Sequence, residues 1–237
     1  MGENGIAKGR LGAIPTAFAV LWIFAVVPGR AEVAIAGKAG TLGAGAELTV
    51  GLSRQLNARL GVNGYNYSDR REASDIEYDG EAKLRTGTAL LDWHPGGGGF
   101  RLSGGLVYND TTIQGTSIPP ASGVYNIGGV PVPVSVVRSL NAKADFDPVV
   151  PYAGLGWGNA VSPNKRVGFF VDLGVVFQGK ADVTLTPDIP ADSPINTTPG
   201  AREVLNILIR QEEQDLEDDA ADYDLYPVVS IGLSFKF

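Results

Sequence analysis

The residues of this chain that could do chemistry are few, and most are charges set into alternating runs. Glu47 stands among Gly43, Gly45, Thr49 and Gly51, opposite a face made of Leu42, Ala44, Ala46, Leu48, Val50 and Leu52. Arg59, Arg101 and Asp172 occupy similar polar faces, and Arg85 is read with them. A period-two pattern puts one face against the core and the other outside. Glu47, Arg59, Arg85, Arg101 and Asp172 are therefore expected to face inward as one polar network. Leaving such charges buried and unpaired would cost several kcal/mol each. They must pair with one another or with trapped water, as a salt-bridged plug or as a polar pathway.

Other chemistry is narrowly bounded. The chain has one histidine, His94, in the turn His94-Pro-Gly-Gly-Gly-Gly99, and no cysteine. A Cys–His pair and a His-rich metal site are excluded, and His94 reads as a structural turn residue. No catalytic residue, metal site or cofactor is expected, and the chain does not read as an enzyme. Residues 201–221 place Val204, Leu205, Leu208, Ile209 and Leu216 at helical spacing after Pro199-Gly200, a helix start. Glu212, Glu213, Asp215, Glu217, Asp218 and Asp219 crowd the same stretch. This reads as an amphipathic helix whose stripe covers a mouth, lies on a membrane, or acts as a lid over a hydrophobic opening. No Asp-x-Asp-x-Asp-Gly loop accompanies the acids, so no dedicated calcium site is expected.

The elements that must position these groups are strands. Hairpins alternate between short turns (53–57, 94–99, 162–165) and long loops (68–80, 113–144, 181–222). Seven strands are clear: 42–52, 58–67, 82–93, 100–112, 146–160, 167–178 and the terminal run 225–237. The first long loop is charged; the second is rich in Pro, Gly and Ser, with room for a small hairpin at Gly128-Gly129. Single-chain bacterial membrane barrels have an even number of strands, short turns at one end and long loops at the other. An eighth, short strand is accordingly placed at 32–38; the alternative is one long strand over 32–52. Aromatic residues sort to both ends. Tyr65, Tyr67, Tyr108, Tyr152, Phe177 and Tyr226 lie toward the long loops, and Trp93, Phe100, Trp157, Phe169, Phe235 and Phe237 toward the short turns. Two such girdles suit rings seated in two headgroup layers.

The ends of the chain imply a compartment. Lys8 and Arg10 precede an uncharged stretch, 11–27, and then Pro28-Gly-Arg-Ala31, the layout of a secretory signal peptide. Residues 1–31 are expected to be removed, with Ala34-Ile-Ala36 as a second cut option, leaving 32–237 as the barrel domain. Glu3, Lys8, Arg10 and Arg30 leave with the signal, taking the formal charge from −7 to −9. So acidic a chain is not expected to bind nucleic acid. No later apolar run is long enough for a membrane helix, so a membrane would have to be crossed by a closed sheet.

The terminal spacing Ser230-x-Gly232-x-x-Phe235-x-Phe237 resembles the signal read by the outer-membrane barrel assembly machinery. The 42–67 hairpin, the 84–108 hairpin around Asp92-Trp93-His94 and the terminal 230–237 segment together resemble the OmpW family of small outer-membrane barrels. The resemblance implies an all-β fold: an eight-stranded antiparallel transmembrane barrel with long extracellular loops, exported and inserted into a bacterial outer membrane. It also implies a narrow channel or pocket for small hydrophobic molecules. The expected surroundings are outer-membrane lipids and lipopolysaccharide. The alternatives are a plugged barrel that displays acidic loops without transport, and a soluble periplasmic lipid-binding barrel.

Overall fold

The structure, a computed structural model, describes residues 32–237 apart from 74–75, 164 and 222–223, with backbone alone at 67–73 and 77–78. The expected signal segment, residues 1–31, and the side chain of Tyr67 lie outside the described residues. The strands are β1 (Val33–Gly40), β2 (Gly43–Gly51), β3 (Leu56–Ala73), β4 (Ile76–Trp93), β5 (Phe100–Asn109), β6 (Thr112–Ser117), β7 (Val124–Ile127), β8 (Val130–Pro133), β9 (Ser139–Asp145), β10 (Val149–Trp157), β11 (Val167–Phe177), β12 (Asp182–Asp188) and β13 (Leu225–Lys236). Among the described residues an α-helix, α1 (Ala201–Ala220), precedes the last strand.

Eight of these strands pair antiparallel in the ring β1-β2-β3-β4-β5-β10-β11-β13, and β13 returns to β1 with Ala34 opposite Lys236 and Gly40 opposite Ser230. The barrel is closed, and the short first strand is the one that closes it. Closure leaves every ring strand with a partner on both sides, which a membrane-spanning sheet requires. Among the described residues no helix is long and apolar enough to cross a membrane.

Alternation sorts the two faces as the sequence implies. Ile35, Val62, Leu91, Leu106, Leu173, Ile231 and Leu233 are exposed on the outside, while Thr49, Asn57, Thr88, Ser103 and Ser234 are buried within. Val229, Ile231, Leu233 and Phe235 of β13, and Phe237 just beyond it, are exposed on the outside; Ser230, Ser234 and Lys236 are buried. Trp93, Phe100, Trp157, Phe169, Phe235 and Phe237 are exposed near the short turns, and Tyr65, Tyr108 and Phe177 at the opposite end. Two rim assignments need correcting. Tyr152 is buried and turns into the lumen, because it shares the inward parity of Val150 on β10. Tyr226 is half-buried, and its hydroxyl donates to the Thr41 carbonyl at 2.7 Å.

The segments expected to be long loops contain a second structure. β3 and β4 do not stop at residue 67 but run on as a ribbon that sets Arg70 opposite Asp79. β6 pairs with the upper part of β4, β9 with β6, and β12 with β9, so one side of the wall rises well beyond the ring. A small hairpin, β7–β8, turns at Gly128-Gly129 as expected, and both glycines have positive φ. On the wall face continuous with the lumen, Leu140, Val183 and Leu185 cluster with Tyr125, Ile127, Leu205, Ile209 and Leu216. This is an ordinary apolar core, and it makes the long-loop end a folded cap.

Candidate functional site

The barrel interior is organised around Arg59, on β3. Its Nη1 lies 3.3 Å from Glu47 Oε1 and 3.1 Å from Asp172 Oδ2, and its Nε lies 2.6 Å from Asp92 Oδ2. Arg101, on β5, reaches Asp172 Oδ1 through Nη2 at 2.7 Å and through Nε at 3.2 Å. Lys38, on β1, donates to Glu47 Oε2 at 3.0 Å. Ser103 completes the cluster, donating to Asp92 Oδ1 at 2.6 Å and accepting from Arg59 Nη2 at 3.1 Å. Three cations and three carboxylates thus meet, with no net charge. Six strands supply them: β1, β2, β3, β4, β5 and β11.

Small residues make this crossing possible. A Cβ at Gly156 on β10 would lie 2.7 Å from Asp172 Oδ1, so only a residue without one lets the carboxylate reach both arginines. At Gly174 a Cβ would come 2.3 Å from the Tyr152 hydroxyl, whose ring lies across that part of the lumen. Phe170 fills a neighbouring sector, with the Arg101 guanidinium 5.3 Å from its ring centre. Toward the cap, Leu90, Val107, Val150, Tyr152, Val176 and Val228 form an apolar layer. An eight-stranded barrel is just wide enough for side chains to fill. Here ionic and apolar layers are stacked within it.

Four of the five expected network residues, Glu47, Arg59, Arg101 and Asp172, are brought together. Arg85 is not. It lies on the outer face of β4, exposed beside Lys83, Glu81 and Asp110 above the barrel ring. The reason is parity. Residues 85 and 92 are an odd number apart on one strand, so only one of them can face the lumen, and that one is Asp92. Asp92 and Lys38 were the missed members. Asp92 could have been found from Thr86, Thr88 and Leu90 on its own face; Lys38 depended on a strand whose limits the sequence left open.

His94 is almost fully buried at the short-turn end, with Nε2 3.0 Å from Asn57 Nδ2 and Nδ1 3.1 Å from the Gly98 carbonyl. Burial holds its pKa below the ordinary 6.5; Asp92 opposes that and Arg101 reinforces it. Of the residues expected to form an assembly signal, Ser230, Gly232 and Phe235 lie on β13 and Phe237 directly follows it, the Phe235 and Phe237 rings meeting edge-on at 5.5 Å.

Helix α1 lays Leu205, Ile209 and Leu216 into the cap core, whereas Val204 of the expected stripe is exposed. Its acids have specific uses. The Leu185 N–H donates to Glu213 at 2.7 Å, the Val183 N–H to Glu217 at 3.2 Å, and the Gly128 N–H to Glu212 at 2.8 Å. Carboxylates therefore cover the free edge of β12, where unpaired N–H groups would invite another strand. Among the described residues no group of three or more acidic, His or Cys side chains is placed to hold a metal ion. Beside the helix start, Pro131, Pro133, Pro194, Pro199, Val204 and Leu208 help line an open apolar groove of about 580 Å³.

No family model and no curated protein matches this sequence. Among solved structures, Acinetobacter baumannii CarO2 is similar with a TM-score of 0.54 at 21% identity, covering 88% of this chain and 100% of that one. CarO of the same organism gives 0.53 at 18% identity, covering 87% and 98%. A major outer membrane protein from Thermus thermophilus scores 0.39 at 14% identity, covering 87% and 99%. The CarO likenesses show the fold, a closed eight-stranded antiparallel barrel.

Proposed function

We propose that this protein is a plugged barrel of the bacterial outer membrane that presents a folded cap at the cell surface. The observation that carries this reading is the charge-balanced cluster of Lys38, Glu47, Arg59, Asp92, Arg101 and Asp172 packed across the lumen. Ions crossing it would have to separate groups that compensate one another's burial. On this reading the short turns face the periplasm, and the 1–31 segment directs export. The terminal aromatic pattern recruits the assembly machinery, and the cap lies at the level of lipopolysaccharide. Asp215, Asp218 and Asp219 are exposed on α1 and give the cap its acidic surface. No catalysis and no cofactor belong to the reading, since the one histidine is occupied by hydrogen bonds that hold a turn.

The test is conductance of the purified chain in planar bilayers. The closed reading expects no steady current from wild type, and a steady wild-type current would overturn it. Deleting Phe237 is expected to impair membrane insertion while leaving export intact; unchanged heat-modifiable migration on gels would count against the assembly role.

A second reading is favoured by the cap groove, whose volume and apolar walls suit a small hydrophobic molecule. It places hydrophobic binding on the cap rather than in the lumen. An apolar fluorescent probe should bind wild type and lose most of its signal in Val204→Asp. Equal binding by both would remove the groove from consideration.

A further inference from the structure

The short-turn floor of the barrel is wired by hydrogen bonds whose direction can be followed from a backbone group that cannot flip. The Val161 N–H donates to Asn159 Oδ1 at 3.1 Å, which makes that atom the oxygen. Asn57 must then present its amide nitrogen in the 3.2 Å contact with Asn159 Oδ1. The same Asn57 Nδ2 lies 3.0 Å from His94 Nε2, so Nε2 is the bare, accepting nitrogen. The ring proton therefore sits on Nδ1 and is donated to the Gly98 carbonyl at 3.1 Å. One backbone N–H thus sets the tautomer of a buried histidine through two amides.

Protonation sets this wiring against itself at Nε2, although the Gly98 and Phe100 backbone groups favour the added proton. A proton on Nε2 would point at the N–H of Asn57. Turning the Asn57 amide over would satisfy His94 but set oxygen against oxygen at Asn159, and Asn159 cannot turn without abandoning Val161. We propose that His94 is an acid-sensitive latch: a proton taken from water onto Nε2 cuts the side-chain tie that runs through Asn57 from His94 to Asn159, leaving the Gly158 N–H to Gly99 carbonyl bond to hold the two turns alone, and so loosens the barrel floor. The charged groups around it pull in different directions. Asp92 on β4 favours the added proton and Arg101 on β5 opposes it, while Lys236, paired with Glu32 at 2.9 Å, reaches the same 158–166 turn at the Pro163 carbonyl. The folded chain binds this proton less readily than the unfolded one. Stability from this group is therefore level above the ordinary value of 6.5 and falls as pH drops below it. The latch does not depend on whether the lumen conducts.

Because the chain has a single histidine, ¹⁵N-histidine labelling of the folded protein in lipid or detergent reports one ring. The neutral ring is expected as the Nδ1–H tautomer, titrating below 6.5. Hydrogen exchange of the Val161 amide, corrected for intrinsic pH dependence, should accelerate about tenfold along the same curve, the scale of one lost hydrogen bond. In His94→Gln the side chain can still accept from Asn57 and donate to Gly98 but cannot titrate, so the acid acceleration should vanish. Asn57→Asp should move the histidine titration above 6.5, since a carboxylate accepts from imidazolium. An Nε2–H tautomer at neutral pH, titration at or above 6.5 in wild type, or acid loosening that persists in His94→Gln would each overturn the latch. Should His94→Gln fail to fold, the wild-type titration and the Asn57→Asp shift decide the matter.

Discussion

At the centre of the barrel Arg59 holds Glu47, Asp92 and Asp172, whereas in the cap Leu205, Ile209 and Leu216 cluster with Leu140, Val183 and Leu185. Both regions are buried, and they are stabilised by opposite chemistry. The ring turns its apolar residues outward, as suits the bilayer proposed for it, and fills the middle of its interior with polar groups that compensate one another beneath an apolar layer. The cap stands outside that apolar band and keeps its Leu, Ile and Val inside, as water requires. One face of β4 shows the change, from Asp92 and Thr88 within the ring to Ile76 in the cap core. The environment on the outside of the wall decides what its inside must be.

The contrast can be broken most sharply at Arg59. Arg59→Met leaves Glu47, Asp92 and Asp172 short of a cation and is expected to cost about 3–5 kcal/mol, read as a lower temperature for the heat-induced gel shift. Arg59→Met with Asp172→Leu should recover part of that loss by restoring charge balance. A single variant no worse than an outward Val229→Ala would mean that the cluster does not hold the ring. In the cap, Ile209→Ala should cost about 2–5 kcal/mol through the cavity it leaves. That loss should stay local, with faster proteolysis in 113–144 and 181–222 and an unchanged gel-shift temperature. A barrel that melts earlier as well would show the two cores to be one cooperative unit.

Smaller effects sharpen the same comparison. Gly174→Val drives a side chain into Tyr152 and should cost about 1–3 kcal/mol, relieved when Tyr152→Ala is added. Failure of that rescue would show that the glycine serves the backbone rather than the ring beside it. Glu213→Ala should expose the Leu185 N–H, at a cost of about 1–3 kcal/mol, whereas Glu213→Gln keeps an acceptor and should cost less. Hydrogen exchange at Leu185 distinguishes them, and equal protection in both would remove the carboxylate from its role at the strand edge.

Much of the ring was legible because period-two alternation is local. Runs such as 42–52 and 229–237 declare their two faces without reference to any partner, and the short turns between them are marked by glycine and polar residues. The charge cluster was legible only as far as parity was kept: Arg59, Arg101 and Asp172 followed from their neighbours, while Arg85 was assigned by its charge against the parity of its strand. Tyr152 was misassigned for a similar reason, since an aromatic residue near a rim can belong to either face. β6, β9 and β12 were not legible. They are six or seven residues long, lie in segments interrupted by proline and glycine, and become strands because the upper part of β4 offers an unpaired edge.

The amino-acid sequence by itself determined which residues share a face, seven of the eight ring strands, where most of the tight turns fall and where the helix lies. These features depend on residues a few positions apart. Tertiary structure alone decided which carboxylate meets which arginine, that Lys38 and Asp92 complete the cluster, and that the long segments fold into a cap with its own core. Those outcomes depend on contacts between groups as distant as Arg59 and Asp172, or Gly128 and Glu212. Closing the ring is what brings the first pair together, and the pairing of β4, β6, β9 and β12 builds the wall on which the cap packs.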